Sequence, residues 1–282
     1  MKKFDIIKLD WEERFGMRSL GNTAVRKTTS FAMGVALTAF FYGILSLLRA
    51  RWSGVVTLEM FFPGGSAGRS FIPVITVLVA MWTLSMLLLK RSKVKMQYSA
   101  LKALPVSTAK SCADCRQQLQ TVYVDAEDFM APSALLKRME LADRQLNTVE
   151  VNSVMEGYFN DLEKESENTF IPISCFIWSI PVLGFIGTVL GLAQAVSNFG
   201  ALSGAGDKVN FDAVLPQVTG GLATAFETTL IALVLALLLQ VFASLQTQNE
   251  LTLIAEIKSK VMQEKPTENT FEASDSMENT PQ

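Results

Sequence analysis

Long stretches of apolar residues without any charge divide this chain. No Asp, Glu, Lys or Arg occurs in residues 28–48, 70–89 or 168–206, and Glu227 is the single charge in residues 213–249. About 20 apolar residues are enough for a helix to cross a bilayer. The pattern predicts an all-α, polytopic membrane protein with four transmembrane helices at about Phe31–Leu48, Phe71–Leu89, Ile173–Val196 and Val214–Phe242.

The segment between the second and third predicted spans has the periodicity of amphipathic helices. Apolar residues recur at helical spacing in a stripe that runs towards the third span without a clear break: Val151, Val154, Met155, Tyr158, Phe159 and Leu162. Pro132 suits the first turn of another helix. Apolar spacing at Ile254, Ile257 and Val261 predicts that the helix of the fourth span continues past the membrane.

The positions of Lys and Arg predict the orientation. Seven lie in the first 27 residues and four more in residues 90–95, whereas the loop between the last two spans has only Lys208. By the positive-inside rule, both termini are predicted to be cytoplasmic. The organisation is then 1–27, a cytoplasmic amphipathic N-terminal segment; 28–89, transmembrane helices 1 and 2 with an outer loop; 90–170, a cytoplasmic helical region; 171–243, a hairpin of transmembrane helices 3 and 4; and 244–282, a cytoplasmic helix extension with a disordered acidic tail.

Composition narrows the classes of function. The chain has no histidine, which excludes His-dependent triads and His-ligated metals, and its net charge of -2 offers no basic field for nucleic acid. Cys112 and Cys115 form one CxxC, and Cys175 is isolated. A structural zinc site needs four ligands, so we interpret the CxxC as two residues on one helix face. We expect no catalytic chemistry, no cofactor and no metal site.

The third span carries a narrow face of small residues. Gly184, Gly187, Thr188 and Gly191 follow i, i+3, i+4 and i+7. Such a face lets helix backbones approach closely in lipid, and by itself it indicates helix packing. Pro181 removes a backbone hydrogen bond and is predicted to bend the helix just before this face.

The fourth span carries an acidic residue near its predicted centre. Gly220, Thr224, Glu227, Thr228 and Ile231 share one helix face. A carboxylate at the bilayer centre costs about 2.5–3.5 kcal/mol on insertion scales, so Glu227 is expected to face a polar cavity or a partner. The alternative is a structural glutamate that is hydrogen-bonded to neighbouring helices. Counting from the outer ends at 1.5 Å per residue places Thr188 and Thr224 at about the same depth.

Together these residues resemble the signature of the MotA/TolQ/ExbB proton-channel family. The resemblance rests on the run from Pro181 to Gly191, followed by Leu222-Ala223-Thr224-Ala225. It implies a homo-pentamer around a single-span MotB/TolR/ExbD-like subunit whose membrane aspartate takes up and releases protons. It also implies that Thr188 and Thr224 line the ion path. Glu227 and Thr228 are candidates on the same face, with Pro181, Gly184, Gly187, Gly191 and Gly220 as bend and packing residues.

The chain also departs from the family pattern. ExbB-like and TolQ-like members have an acidic residue where this chain has Thr219, and four spans are similar to MotA. The interpretation is a channel-forming subunit of a proton-driven motor (stator) complex in the bacterial inner membrane. The alternative is a non-conducting membrane scaffold or sensor with a cytoplasmic helical interaction region. A self-sufficient transporter is less well supported, because no inverted repeat is visible.

Overall fold

The computed structural model describes residues 25–51, 60–62, 71–104, 112–123, 128–144, 146–203 and 211–263. Over these ranges the chain forms six helices: α1 (Lys27–Arg51), α2 (Ile72–Ala103), α3 (Cys112–Val122), α4 (Met130–Asp143), α5 (Thr148–Ser203) and α6 (Phe211–Gln263). No strand occurs in the same ranges. The predicted all-α class is therefore confirmed.

Four of these helices, α1, α2, α5 and α6, are long and apolar enough to cross a membrane. The predicted spans lie along them almost completely. The amphipathic stripe of residues 151–162 and the third span form one continuous helix, as predicted, and the fourth span continues to Gln263. The prediction of four membrane-crossing helices is confirmed, and the chain is a multi-pass membrane protein.

Some predictions concern residues outside the described ranges. They are the amphipathic helix before residue 25, the turn at Gly64-Gly65, the glycines Gly204 and Gly206 of the second outer loop, and the disordered acidic tail after Pro266. Gly200, which the sequence placed in that outer loop, lies within α5 instead, because the helix continues to Ser203. The domain boundaries given above remain predictions.

The chain divides into two compact units. One, which we call the extramembrane unit, comprises the described residues of Arg91–Asn168 and of the chain from Gln248; the other, the transmembrane unit, comprises those of Val25–Lys90 and Thr169–Thr247. The helices α2, α5 and α6 contribute to both units, since each is longer than a membrane span.

The extramembrane unit has a core of large apolar side chains, including Tyr123, Phe129, Leu135, Met155 and Phe159. Buried polar groups in this unit bind backbone atoms. The hydroxyl of Tyr123 donates to the carbonyl of Ala100 (2.8 Å), and the Arg138 guanidinium donates to the carbonyl of Val261 (2.8 Å). α4 begins at Met130, so Pro132 lies in its first turn as predicted.

In the transmembrane unit, α1 and α2 pack closely and are joined by hydrogen bonds. A Cβ atom at Gly34 would lie 2.6 Å from the Cα of Trp82, so only glycine permits this approach. The Ser85 hydroxyl donates to the carbonyl of Ser30 (2.6 Å), and the indole of Trp82 donates to the Ser30 hydroxyl (3.2 Å). On its other side, the Trp82 ring contacts Phe176 of α5 at 4.4 Å between centroids.

Candidate functional site

The hairpin of α5 and α6 is held together by the glycines of the third predicted span. A Cβ atom at Gly184 would lie 2.5 Å from the Cβ of Ala232, and one at Gly187 would lie 2.6 Å from the Cβ of Thr228. At Gly191 it would meet backbone, 2.7 Å from the carbonyl oxygen of Gly221. The two helices therefore approach so closely along about two turns of α5 that a Cβ atom at any of these glycines would clash with α6.

The small residues of α6 that complete this contact were only partly predicted. They are Gly221, Ala225, Thr228 and Ala232, spaced i, i+4, i+7 and i+11. The sequence pointed to Gly220, which is buried, but the close contact with α5 uses Gly221. The regular spacing was a signal that could have identified this face.

Thr188 lies in the contact between the two helices. Its hydroxyl is within hydrogen-bond distance of two carbonyls, that of Gly184 in its own helix (3.2 Å) and that of Ala225 in α6 (3.3 Å). Ala225 directly follows Thr224, so the two threonines lie at the same level to within one residue. The depth count from the sequence led to the same pairing. The side chain of Thr188 is partly exposed.

Thr224, Glu227 and Thr228 lie in the interior of the transmembrane unit. Their side chains are 3%, 9% and 1% exposed, and Gly220 and Ile231 of the same helix face are also buried. The Thr224 hydroxyl donates to the carbonyl of Gly220 (2.9 Å), and that of Thr228 donates to Ala225 (3.1 Å). This face is thus directed into the protein, which is where an intramembrane carboxylate is expected.

Each of these hydroxyl protons is directed at a backbone carbonyl. A hydroxyl has one proton and two acceptor lone pairs, so it can still accept a hydrogen bond from water, hydronium or a protonated carboxyl group. Glu227 adds a carboxylate on the same face of α6, which can bind a proton or a cation. The arrangement has the chemistry of a proton or cation path.

Pro181 lies inside α5, one turn before the glycine face, and Pro172 lies inside the same helix closer to its middle. A proline removes a helical hydrogen bond from the backbone. The sequence analysis named Pro181 alone. The bend at Pro181 remains a prediction.

Comparison with known protein families finds a match that covers this hairpin. Residues 126–259, a little less than half of the chain, match the family model described as the MotA/TolQ/ExbB proton channel family. The predicted resemblance to this family is therefore confirmed over these residues. The match indicates an ion-channel subunit of an energy-transducing membrane complex, and members of the family generally assemble with a single-span partner. No curated protein and no solved structure matches the chain significantly.

The surroundings of Cys112 differ from those of a reactive redox cysteine. Cys112 and Cys115 lie one turn apart in α3, as predicted, and Cys115 is buried. Desolvation, followed by the nearby carboxylate of Asp143, raises the pKa of the Cys112 thiol. Reactive CxxC thiols have lowered pKa values, so the pKa of Cys112 is shifted in the direction opposite to the one that favours redox chemistry. Within the described part of the chain, no group of His, Cys, Asp and Glu side chains could hold a metal ion.

Proposed function

We propose that this chain is the channel-forming subunit of a proton-driven motor (stator) complex in the bacterial inner membrane. The observation that supports this most directly is the pairing of Thr188 with the Thr224–Ala225 segment across a glycine-packed hairpin. In this proposal the chain forms a homo-pentamer around a MotB/TolR/ExbD-like single-span subunit with a membrane aspartate. Both termini are cytoplasmic, and the chain has no enzymatic activity.

The energetics suit such a role. One charge that crosses a membrane potential of 100 mV releases about 2.3 kcal/mol. In the proposed mechanism, a proton that neutralises the partner's aspartate releases the partner's helix from one subunit and allows it to step to the next. The threonine hydroxyls accept hydrogen bonds from the transferred proton or its water, and Glu227 supplies a titratable group on the path.

The deciding experiment removes the hydroxyls and keeps the side-chain shape. Thr188→Val and Thr224→Val are reconstituted with the co-purified partner in proteoliposomes, and proton flux is measured. We expect an intact oligomer without flux, whereas Thr→Ser at either position should retain part of it. The matched control is Thr247→Val, because Thr247 makes the same kind of bond to its i−4 carbonyl, Ala243, and lies much further along α6 from the hairpin contact.

A second candidate, a non-conducting scaffold, is favoured by one observation. The hydroxyls of Thr188, Thr224 and Thr228 all donate to backbone carbonyls within the chain, as packing threonines commonly do. On this alternative, both valine variants assemble and function normally, and the protein needs no partner with a membrane carboxylate. Wild-type flux in both valine variants would contradict the path-lining roles. Native mass spectrometry that shows a stable monomer would count against the stator as a whole.

A further inference from the structure

The position of the hydrocarbon core along the hairpin is not determined by the apolar pattern of α5 and α6. The uncharged stretches of α1 and α2, residues 28–48 and 70–89, each have the length of one bilayer crossing. Those of the hairpin are much longer: residues 168–203 in α5, and residues 213–249 in α6 with Glu227 inside. The bilayer could therefore lie at several positions along the hairpin.

Two contacts establish the register between α2 and α5. The Lys90 ammonium donates to the Thr169 hydroxyl, and eight residues earlier in α2 the ring of Trp82 packs on Phe176, seven residues later in α5. The two helices are therefore antiparallel, and equal numbers of residues along α2 and α5 cover about the same distance. If the register is continued one residue for one residue, Phe71, which directly precedes α2, lies level with Thr188.

The rise of an α-helix per residue places Thr188 at the same level. From Thr169 to Thr188 is nineteen residues, which corresponds to about 28 Å at 1.5 Å per residue. At the average tilt of about 20° this is still about 26 Å along the membrane normal, close to the hydrocarbon thickness of about 30 Å. Thr188 thus lies almost a full membrane thickness away from Lys90, not half of one.

The hairpin contacts transfer this level to α6. Thr188 meets Ala225, and Gly187 meets Thr228, so the level of Thr188 crosses α6 between these residues. The composition of α6 changes at the same place. Residues 230–239 are continuously apolar, whereas residues 213–226 include Pro216, Gln217 and the Thr219-Gly220-Gly221 run.

We infer that the hydrocarbon core is crossed by residues of about 169–190 in α5 and 228–247 in α6, and that Thr188, Thr224 and Glu227 lie at its outer boundary. Glu227 is then the carboxylate through which a proton or monovalent cation enters the path from the outer side. This placement differs from the midplane position that the predicted span boundaries implied. The entry role rests on the proposed function, whereas the placement of the hairpin in the bilayer does not.

The placement also explains how the chain tolerates a carboxylate within an apolar helix. A charged group at the centre of the bilayer costs several kcal/mol, and the cost decreases towards the interface, where water reaches the group. Glu227 faces the interior of the protein and lies close to the outer surface of the membrane. It can therefore exchange a cation with the outer solution. The threonines at the same level then receive the ion before it meets a partner carboxylate.

Cysteine labelling tests the placement without any measurement of conduction. Single cysteines replace exposed residues in a background where Cys112, Cys115 and Cys175 are serine, and a charged, membrane-impermeant thiol reagent is applied to both sides of open membranes. Leu192→Cys and Leu222→Cys should react about tenfold or more faster than Leu233→Cys and Leu237→Cys, because the reactive thiolate forms in water and not in hydrocarbon. Ser197→Cys, farther out on α5, is the control for access to the reagent.

The two possible placements predict different results. If the spans were residues 173–196 and 214–242, Leu192→Cys and Leu222→Cys would both be as unreactive as Leu237→Cys. That result, with Ser197→Cys labelled, overturns the inferred placement. Labelling of Leu192→Cys and Leu222→Cys, with Leu233→Cys and Leu237→Cys unreactive, supports it even if the purified protein conducts no ions, so a failure of the proposed function is seen separately.

The entry role is tested by Glu227→Gln in proteoliposomes. Loss of an entry carboxylate should raise the outer proton concentration at half-maximal flux, by about tenfold for a loss of about 1.4 kcal/mol in proton affinity, while Glu227→Asp, which keeps the carboxylate, should show a smaller increase. Reduced maximal flux with an unchanged half-maximal proton concentration would overturn the entry role. Flux that is unchanged in every respect would overturn it as well.

Discussion

The two units of this chain differ in how their helices make their closest contacts. The core of the extramembrane unit consists of bulky side chains such as Tyr123, Phe129 and Phe159, all buried almost completely. The transmembrane unit also buries large side chains, but its closest helix contacts are made at glycines, where a Cβ atom would lie less than 3 Å from the neighbouring helix: Gly34, Gly184, Gly187 and Gly191. The difference shows how the surrounding solvent determines which residues can stabilise a helix contact.

The physical cause is the reference state of the separated helices. In water, a large apolar side chain gains about 25 cal/mol for each Å² that it buries, so large residues stabilise a core most. In lipid, the surrounding chains are as apolar as leucine, and burial of a side chain gains little. Close van der Waals contact and interhelical hydrogen bonds remain, and both improve when the side chains at the contact are small.

The largest effect is expected in the core of the extramembrane unit. Phe159→Ala should reduce the free energy of unfolding by about 3–5 kcal/mol, because it removes a fully buried ring and leaves a cavity. Urea-induced unfolding of the full chain in nanodiscs, followed by protease susceptibility of this unit, measures the change. Val149→Ala, at a residue with 73% exposure, is the control and should stay within about 0.5 kcal/mol of wild type. Equal stability of the two variants would contradict the comparison.

A smaller loss of stability is expected when a side chain at a helix contact of the transmembrane unit is enlarged. Gly191→Ala places a methyl group 2.7 Å from the carbonyl oxygen of Gly221 and 2.8 Å from the nitrogen of Ala225, so the helices must separate. We expect a loss of about 1–3 kcal/mol, the usual cost of overpacking. Unfolding of the full chain in mixed micelles measures it.

Gly157→Ala provides the matched control, since Gly157 lies in the same helix and a Cβ atom there would have no neighbouring atom within 4 Å. At this position, alanine should stabilise the helix by about 0.5–1 kcal/mol through its higher helix propensity. The two glycine substitutions should therefore have opposite signs. A stabilising Gly191→Ala would show that the hairpin is not packed through its backbones.

The smallest effect concerns the hydrogen bonds between α1 and α2. Ser85→Ala removes the donor to the carbonyl of Ser30 and should cost about 0.6 kcal/mol, with about 1.7 kcal/mol as the upper bound for such bonds in membranes. Ser99→Ala, which loses only a local bond to the Lys95 carbonyl on an exposed face, should cost less. A cost for Ser85→Ala that exceeds that of Gly191→Ala would mean that hydrogen bonding, and not close packing, dominates this unit.

Much of the architecture could be predicted from the sequence because it depends on local pattern. The uncharged stretches predicted four membrane helices, and the spacing of Val151 to Leu162 predicted a helix that continues into the third span. The glycine and threonine residues of the third span predicted a close contact and the family. In each case the information lies within one turn or one stretch of a single helix.

The tertiary structure decided how the helices are placed against each other. A long apolar stretch has no internal marker of depth, so only the contacts of Lys90 with Thr169 and of Trp82 with Phe176 relate the hairpin to the span of α2. The choice of Gly221 over its neighbour Gly220 likewise depends on the rotation of α6 against α5. Register and rotation are properties of two surfaces in contact, and for that reason the sequence of either helix alone does not determine them.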